Sequence, residues 1–92
     1  MISLKETIRR FDNAVHILAG TDARLKERLE GAIGEISTLQ EKDFNPDLRK
    51  TFRKVSERMH AYSLSRDIPE RQAELADSIV EMCITLHRWT ME

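Results

Sequence analysis

Two pairs of side chains in this sequence have the spacing of metal ligands or reactive groups on a helix. Glu57 and His60 form an E-x-x-H pair, a motif that di-iron four-helix bundles use twice, together with carboxylates from two further helices. One such pair is insufficient for that site, and both residues lie outside the apolar positions of their segment. We interpret Glu57 and His60 as neighbouring polar residues on a solvated helix surface.

The second pair is Cys83 and His87, which lie four residues apart and therefore on one face of a helix. They could supply two ligands to zinc or form a Cys–His nucleophilic pair. Zinc requires three or four ligands, Cys83 is the only cysteine, and His16 is far away in the chain. Apolar neighbours would raise the pKa of the thiol rather than activate it. Since the sequence also has no glycine-rich phosphate loop or nucleophile elbow, we expect no metal, no cofactor, no catalytic residue, no small-molecule substrate and hence no enzyme.

Apolar residues recur every three or four positions in four successive segments of the chain. This spacing places five side chains of each segment on one side of an α-helix. The four apolar seams are Leu4, Ile8, Phe11, Val15 and Leu18; Leu25, Leu29, Ala32, Ile36 and Leu39; Leu48, Phe52, Val55, Met59 and Tyr62; and Leu75, Ile79, Met82, Leu86 and Trp89. The pattern predicts four amphipathic helices whose seams face a shared core.

Residues that can cap a helix stand before each segment. They are Ser3 with Glu6, Thr21 or Asp22, Asn45 followed by Pro46, and Asp67 with Glu70 and Pro69. Gly20 suits the left-handed position that often follows a helix. We therefore predict helices at about 3–19, 22–42, 46–64 and 68–90.

Short connections between these helices favour antiparallel packing of sequential neighbours. The predicted fold class is all-α, an up-down four-helix bundle forming a single helical domain over residues 1–92. An arrangement of three helices, with one segment packed across a partner chain, is the alternative. Gly31 and Gly34 fall inside helix 2, where they either allow the close approach of a partner or simply weaken a surface helix.

The composition agrees with a small helical protein. The chain has 92 residues, a net charge of −1, three glycines, two prolines and one cysteine, so no intrachain disulfide can form. Charged residues near the N-terminus occupy the positions where a signal peptide is apolar, and no apolar run approaches the roughly 20 residues that span a bilayer. We expect a cytoplasmic protein with no membrane partner.

Charge is distributed unevenly between the last two predicted helices. Residues 46–64 carry five basic and two acidic side chains, whereas residues 67–92 carry six acidic and two basic ones. The basic side chains could follow a nucleic-acid backbone, or they could pair with the acidic helix 4. The candidate nucleic-acid face consists of Arg49, Lys50, Arg53, Lys54 and Arg58.

Helix 4 carries a second apolar stripe beside its seam. The candidate interface on this helix comprises Ala73, Ala76, Val80, Cys83, Ile84, His87 and Trp89. A bundle helix buries one stripe, so the second must be covered by a second copy, by another protein or, if helix 4 is central, by its own neighbours. We expect a non-enzymatic protein that acts through protein–protein interaction, as a homodimer or with a protein partner on helix 4. A nucleic-acid-associated regulator using helix 3 is the alternative.

Residues 24–52, RLKERLEGAIGEISTLQEKDFNPDLRKTF, resemble a family of short bacterial helical proteins with no assigned function. The features that carry the resemblance are Lys26 to Leu29 (K-E-R-L), Ile36 with Leu39, an acidic–Phe–Pro–acidic–Leu-Arg stretch from Asp43 to Arg49 with Asn45 before the proline, and Phe52. The segment PERQAELADSIVEMCITLHRW is similar to their closing helix. The resemblance implies a helical fold and brings no activity, cofactor or catalytic residue with it.

Overall fold

The computed structural model describes residues 3–20 and 23–91, and the regular secondary structure in these residues is entirely helical. Helix α1 spans Leu4–Leu18, α2 spans Leu25–Ile36, α3 spans Pro46–Leu64 and α4 spans Pro69–Met91; a short 3₁₀ turn, Glu41–Asp43, precedes α3. The predicted all-α fold with four helices is confirmed. The predicted bounds of α1, α3 and α4 agree with the structure to within one residue.

The helix predicted over 22–42 is too long, because α2 ends at Ile36. The amide of Leu39 donates to the Ile36 carbonyl at 3.1 Å, and this turn brings the Leu39 side chain back into the core. In the 3₁₀ turn that follows, the side chains of Gln40 and Asp43 each accept a hydrogen bond from the other residue's backbone amide. Such local side-chain bonds compete with the helix, and apolar periodicity does not reveal them.

The predicted start signals of α1 and α3 are partly confirmed. Ser3 caps α1, since its hydroxyl accepts a hydrogen bond from the Glu6 amide at 3.2 Å. The Glu6 carboxylate, however, accepts from the guanidinium of Arg9 on the same helix. Asn45 occupies the N-cap position of α3 and Pro46 its first turn, although the Asn45 side chain makes no capping bond. The start of α3 therefore relies on the fixed backbone of proline rather than on a side-chain cap.

The predicted boundary roles of Gly20 and Asp67 are not confirmed. Gly20 does not adopt a left-handed conformation, and among the described residues no glycine has a positive φ. Thr21 and Asp22 lie outside the described residues. Helix α4 begins two residues after Asp67, whose carboxylate accepts a hydrogen bond from Lys26 at 2.8 Å. That carboxylate ties the turn before α4 to the start of α2.

Helix α1 packs antiparallel on α2, and α3 packs antiparallel on α4, which lies at the centre of the bundle. Arg28 near the start of α2 donates to the Leu18 carbonyl at the end of α1 at 2.6 Å, and Arg10 in the first half of α1 donates to the Glu35 carbonyl near the end of α2 at 3.3 Å. Arg71 near the start of α4 donates to the Ala61 carbonyl near the end of α3 at 3.1 Å. Helix α4 packs closely against α1 and α3 and also contacts α2. As the longest helix, with 23 residues, it supplies the element on which the others assemble.

One hydrophobic core joins the four helices. The seam residues buried in it are Phe11, Leu18, Leu29, Ala32, Ile36, Leu39, Leu48, Phe52, Val55, Tyr62, Leu75, Ile79, Met82 and Leu86. Trp89 was predicted to face inward but is 36% exposed. A seam with a 3.5-residue repeat drifts around a straight helix by about 20° per heptad. Over the two heptads from Leu75 to Trp89, this drift carries the last side chain away from the centre of the core.

The two glycines of α2 have different surroundings. A Cβ at Gly34 would meet no heavy atom within 4 Å, whereas a Cβ at Gly31 would lie 3.1 Å from Cγ2 of Ile17 on α1. Replacing Gly34 with Ala should raise the free energy of unfolding by about 0.5–1 kcal/mol, because glycine weakens a helix by that amount. Gly31→Ala should gain less or lose stability, because Ile17 must move. Urea unfolding followed by circular dichroism measures both, and equal gains would contradict this packing.

Candidate functional site

One face of α4 is lined by side chains of this helix, of which Glu81 also contacts α3. We call this surface the outer face, and its residues are Asp77, Val80, Glu81, Ile84, Thr85 and Arg88. Val80 is 37% exposed and Ile84 is 48% exposed. These two side chains lie one helical turn apart and are therefore neighbours. The outer face is thus a small apolar spot with charged residues at both ends.

The predicted interface residues do not form one continuous surface. Five of them are exposed, namely Ala73, Val80, Ile84, His87 and Trp89. Cys83 is only 8% exposed, and Ala76 packs partly against the core. His87 is exposed but contacts Asp12 on α1. At 3.6 residues per turn, Trp89 points about 140° away from Ile84. The inner part of the second stripe is therefore covered by the chain's own α1, and the outer part is not.

Opposite charges lie at the two ends of the outer face. Asp77 and Arg88 are 11 residues apart, or roughly 16 Å along the helix axis, so they cannot pair within one helix. Glu81, between them, pairs with Lys54 of α3 at 3.2 Å. The outer face therefore has an acidic end at Asp77 and a basic end at Arg88, and its midpoint lies between Met82 and Cys83.

A cluster of three side chains lies where α4 meets α1. The Sγ of Cys83 donates to Oδ1 of Asp12 at 3.2 Å, and Nε2 of His87 lies 2.7 Å from the same oxygen. All three atoms lie within 4.8 Å of one another. The side chains of Asp12 and His87 are about half exposed, at 49% and 50%. The cluster is thus closed on the Cys83 side and open to solvent on the other.

The electrostatics of this cluster keep the thiol protonated. Burial raises the pKa of Cys83, as does the Asp12 carboxylate that accepts the thiol proton, from an ordinary 9.0 to about 12. The hydrogen bond with His87 lowers the pKa of Asp12. A carboxylate beside the sulfur opposes formation of a thiolate, whereas a nucleophilic cysteine needs an electropositive setting. The cluster therefore lacks the electropositive setting that a Cys–His nucleophilic pair would need.

Asp12 is the member of the cluster that sequence reasoning missed. It follows Phe11, a fully buried seam residue, so it lies about 100° around α1, at the edge of the buried side. An acidic residue at that edge is a weak signal, because it could equally face solvent. Nothing in the sequence states that this edge of α1 packs beside Cys83 and His87, 71 and 75 residues later.

The basic residues of α3 are largely engaged within the chain. Arg49 donates to the Phe44 carbonyl, Arg53 pairs with Glu41, Lys54 pairs with Glu81, and Arg58 donates to the Glu74 carbonyl. Lys50 is exposed. Nucleic-acid binding by these five residues stays a prediction. It requires steeply salt-dependent binding that the combined substitution of Arg49, Arg53 and Lys54 by Ala abolishes in a mobility-shift assay.

No helix among the described residues has both the length and the apolar character needed to cross a bilayer. Comparisons with protein-family models, with curated proteins and with solved structures give no match for this chain. The outer face and the cluster at the α1–α4 contact are the two candidate functional features among the described residues.

Proposed function

We propose that this protein is a non-enzymatic, cytoplasmic interaction protein that self-associates through the outer face of α4. The observation that carries the proposal is the adjacent exposure of Val80 and Ile84 on the most central helix of the bundle. Single exposed aliphatic residues are ordinary on protein surfaces. Two neighbouring ones, framed by opposite charges, favour a defined contact over a random one.

The charges favour a second copy of the same chain as the partner. In a symmetric dimer, each residue that contacts a second residue is contacted by it in return. If two α4 helices cross antiparallel at the midpoint between Met82 and Cys83, Asp77 of one copy faces Arg88 of the other. The same symmetry places Ile84 opposite Glu81 and Val80 opposite Thr85. Two opposite-charge pairs would thus enclose four aliphatic side chains and the two Glu81 carboxylates, each of which pairs with Lys54 of its own copy.

The dimer should be weak. Each copy contributes two aliphatic side chains and one charged side chain at each end of the outer face. Exposed ion pairs add only about 0–1 kcal/mol each. An interface of this kind belongs to the small class below about 1,200 Å² of total buried area. Self-association should therefore depend on protein concentration, and high salt should weaken it because salt screens the charge pairs.

Val80→Glu tests this proposal by placing a charge in the apolar spot. Wild-type protein should be dimeric in light scattering at about 100 µM, and the variant should be monomeric with unchanged helical circular dichroism, because Val80 is exposed in the monomer. Leu64→Glu is the matched control, since Leu64 is 69% exposed at the end of α3, outside the outer face. A monomeric wild type, or equal loss of the dimer in Leu64→Glu, would contradict the proposal.

A further inference from the structure

In contrast to the expectation of no metal site from the sequence, we propose that Asp12, Cys83 and His87 form a binding site for Zn²⁺ between α1 and α4. Two of these side chains lie one turn apart on α4, and the third reaches them from α1. Their ligand atoms, a carboxylate oxygen, a sulfur and an imidazole nitrogen, already lie within 4.8 Å of one another. Each is a ligand that zinc takes in proteins. The inference is independent of self-association through the outer face.

The distances are close to those of a tetrahedral zinc site. With bond lengths of about 2.0–2.1 Å to oxygen and nitrogen and about 2.3 Å to sulfur, ligand atoms lie roughly 3.3–3.6 Å apart. Here Sγ of Cys83 lies 3.2 Å from Oδ1 of Asp12, and Nε2 of His87 lies 2.7 Å from it. Insertion of the ion requires the Asp12 oxygen to separate from the sulfur by about 0.1–0.4 Å and from the imidazole nitrogen by about 0.6–0.9 Å. Asp12 and His87, which are half exposed, can move by side-chain rotation.

The chemistry of the cluster also fits the ion. Binding would displace the thiol proton, which would leave to solvent, so a thiolate and a carboxylate together balance the charge of Zn²⁺. His87 would bind through the lone pair of Nε2 in its neutral form. The fourth position would face the solvent-exposed side of Asp12 and His87 and would hold water. Because the ion replaces protons on its ligands, its affinity must fall as the pH is lowered.

Without an ion, the same three residues form a hydrogen-bonded contact between α1 and α4. Asp12 accepts from the thiol, and its pairing with the imidazole is exposed, so that pairing contributes little stability. A hydroxyl group at residue 83 would donate to Asp12 as well as a thiol does, so this simpler function of the cluster does not require a cysteine. The two explanations differ in whether the cluster binds a divalent ion, which can be measured directly.

Cobalt(II) titration of chelator-treated protein tests the site, because cobalt replaces zinc and reports its ligands by absorption. Wild-type protein should develop a thiolate-to-cobalt charge-transfer band and the intense visible bands of tetrahedral cobalt, and equimolar Zn²⁺ should remove both. Cys83→Ser should abolish the charge-transfer band. Asp12→Asn and His87→Gln should weaken binding at least about 10–100-fold, since even the loss of an outer-shell partner has that effect.

His60→Gln is the matched control, because His60 is an exposed histidine on α3, outside the cluster, and this variant should bind cobalt like wild type. Circular dichroism of each variant shows whether it is folded. Absence of the charge-transfer band in wild-type protein would overturn the proposal. So would cobalt binding that is unchanged in folded Asp12→Asn and His87→Gln, or that is lost equally in His60→Gln.

Discussion

Replacing Leu75 with Ala should lower the free energy of unfolding by about 2–5 kcal/mol, the cost of a cavity at a fully buried leucine. Leu75 is completely buried in the core, on the helix that contacts the other three. Small domains are stable by only about 5–15 kcal/mol, so the variant should lose a large part of its stability. Urea unfolding followed by circular dichroism measures the change.

Leu64→Ala provides the comparison, because it removes the same atoms from a side chain that is 69% exposed. Its effect should stay within about 0.5 kcal/mol, as is usual for surface substitutions. Similar losses in the two variants would show that α4 is not the buried centre of the bundle. A loss below about 1 kcal/mol for Leu75→Ala would show the same.

The second large effect concerns the reactivity of Cys83. Because its pKa is raised from 9.0 to about 12 in the metal-free protein, the thiolate fraction of that form near neutral pH should be about 1,000-fold smaller than for an ordinary thiol. A disulfide reagent such as DTNB should therefore modify the folded protein far more slowly than the urea-unfolded chain at the same pH. Asp12→Asn removes the neighbouring charge but not the burial, so it should give an intermediate rate.

The same shift predicts how stability depends on pH. A thiol whose pKa is raised by folding contributes stability below pH 9.0, and this contribution is lost as the pH rises toward about 12. The pKa of Asp12 is lowered instead, so its contribution is present above its ordinary value of 3.8 and is lost in acid. Thermal unfolding between pH 8 and 11 measures the alkaline loss, which Cys83→Ser should reduce. In the DTNB experiment, modification of Cys83 in the folded wild type as fast as in the unfolded chain would contradict a raised pKa of this thiol.

The sequence predicts the helices well because the apolar repeat and the helix are both local. The bounds of α3 follow from Pro46 at its start and from the seam that ends at Tyr62. The end of α2 could not be predicted in this way. Leu39 continues the seam and is buried as predicted, but it is buried from a turn rather than from a helix. The side-chain bonds of Gln40 and Asp43 decide that difference.

The candidate sites depend on contacts between distant segments and were less predictable. The second stripe of α4 was visible in the sequence, but its division between α1 and solvent depends on the packing of Asp12 beside Cys83 and His87. Trp89 belongs both to the predicted seam and to the predicted interface, whereas the helical repeat turns it away from Val80 and Ile84. The sequence alone did not show that Asp77 and Arg88 border the same exposed apolar spot. The structure places both residues on the outer face.

The most direct test of self-association through the outer face uses two charge reversals, D77R and R88D. In an antiparallel dimer each variant alone would bring like charges together twice, whereas a mixture of the two would restore both opposite-charge pairs in a heterodimer. The monomer fold should be unaffected, because both residues are exposed and are roughly 16 Å apart on the helix, too far to pair with each other.

Sedimentation velocity of each variant and of their equimolar mixture, at low salt, is the decisive measurement. We expect both variants to be monomeric alone and the mixture to sediment as a dimer. Dimers of either variant alone with the stability of the wild-type dimer, or a mixture that remains monomeric while the wild type dimerises, would contradict the antiparallel pairing of α4.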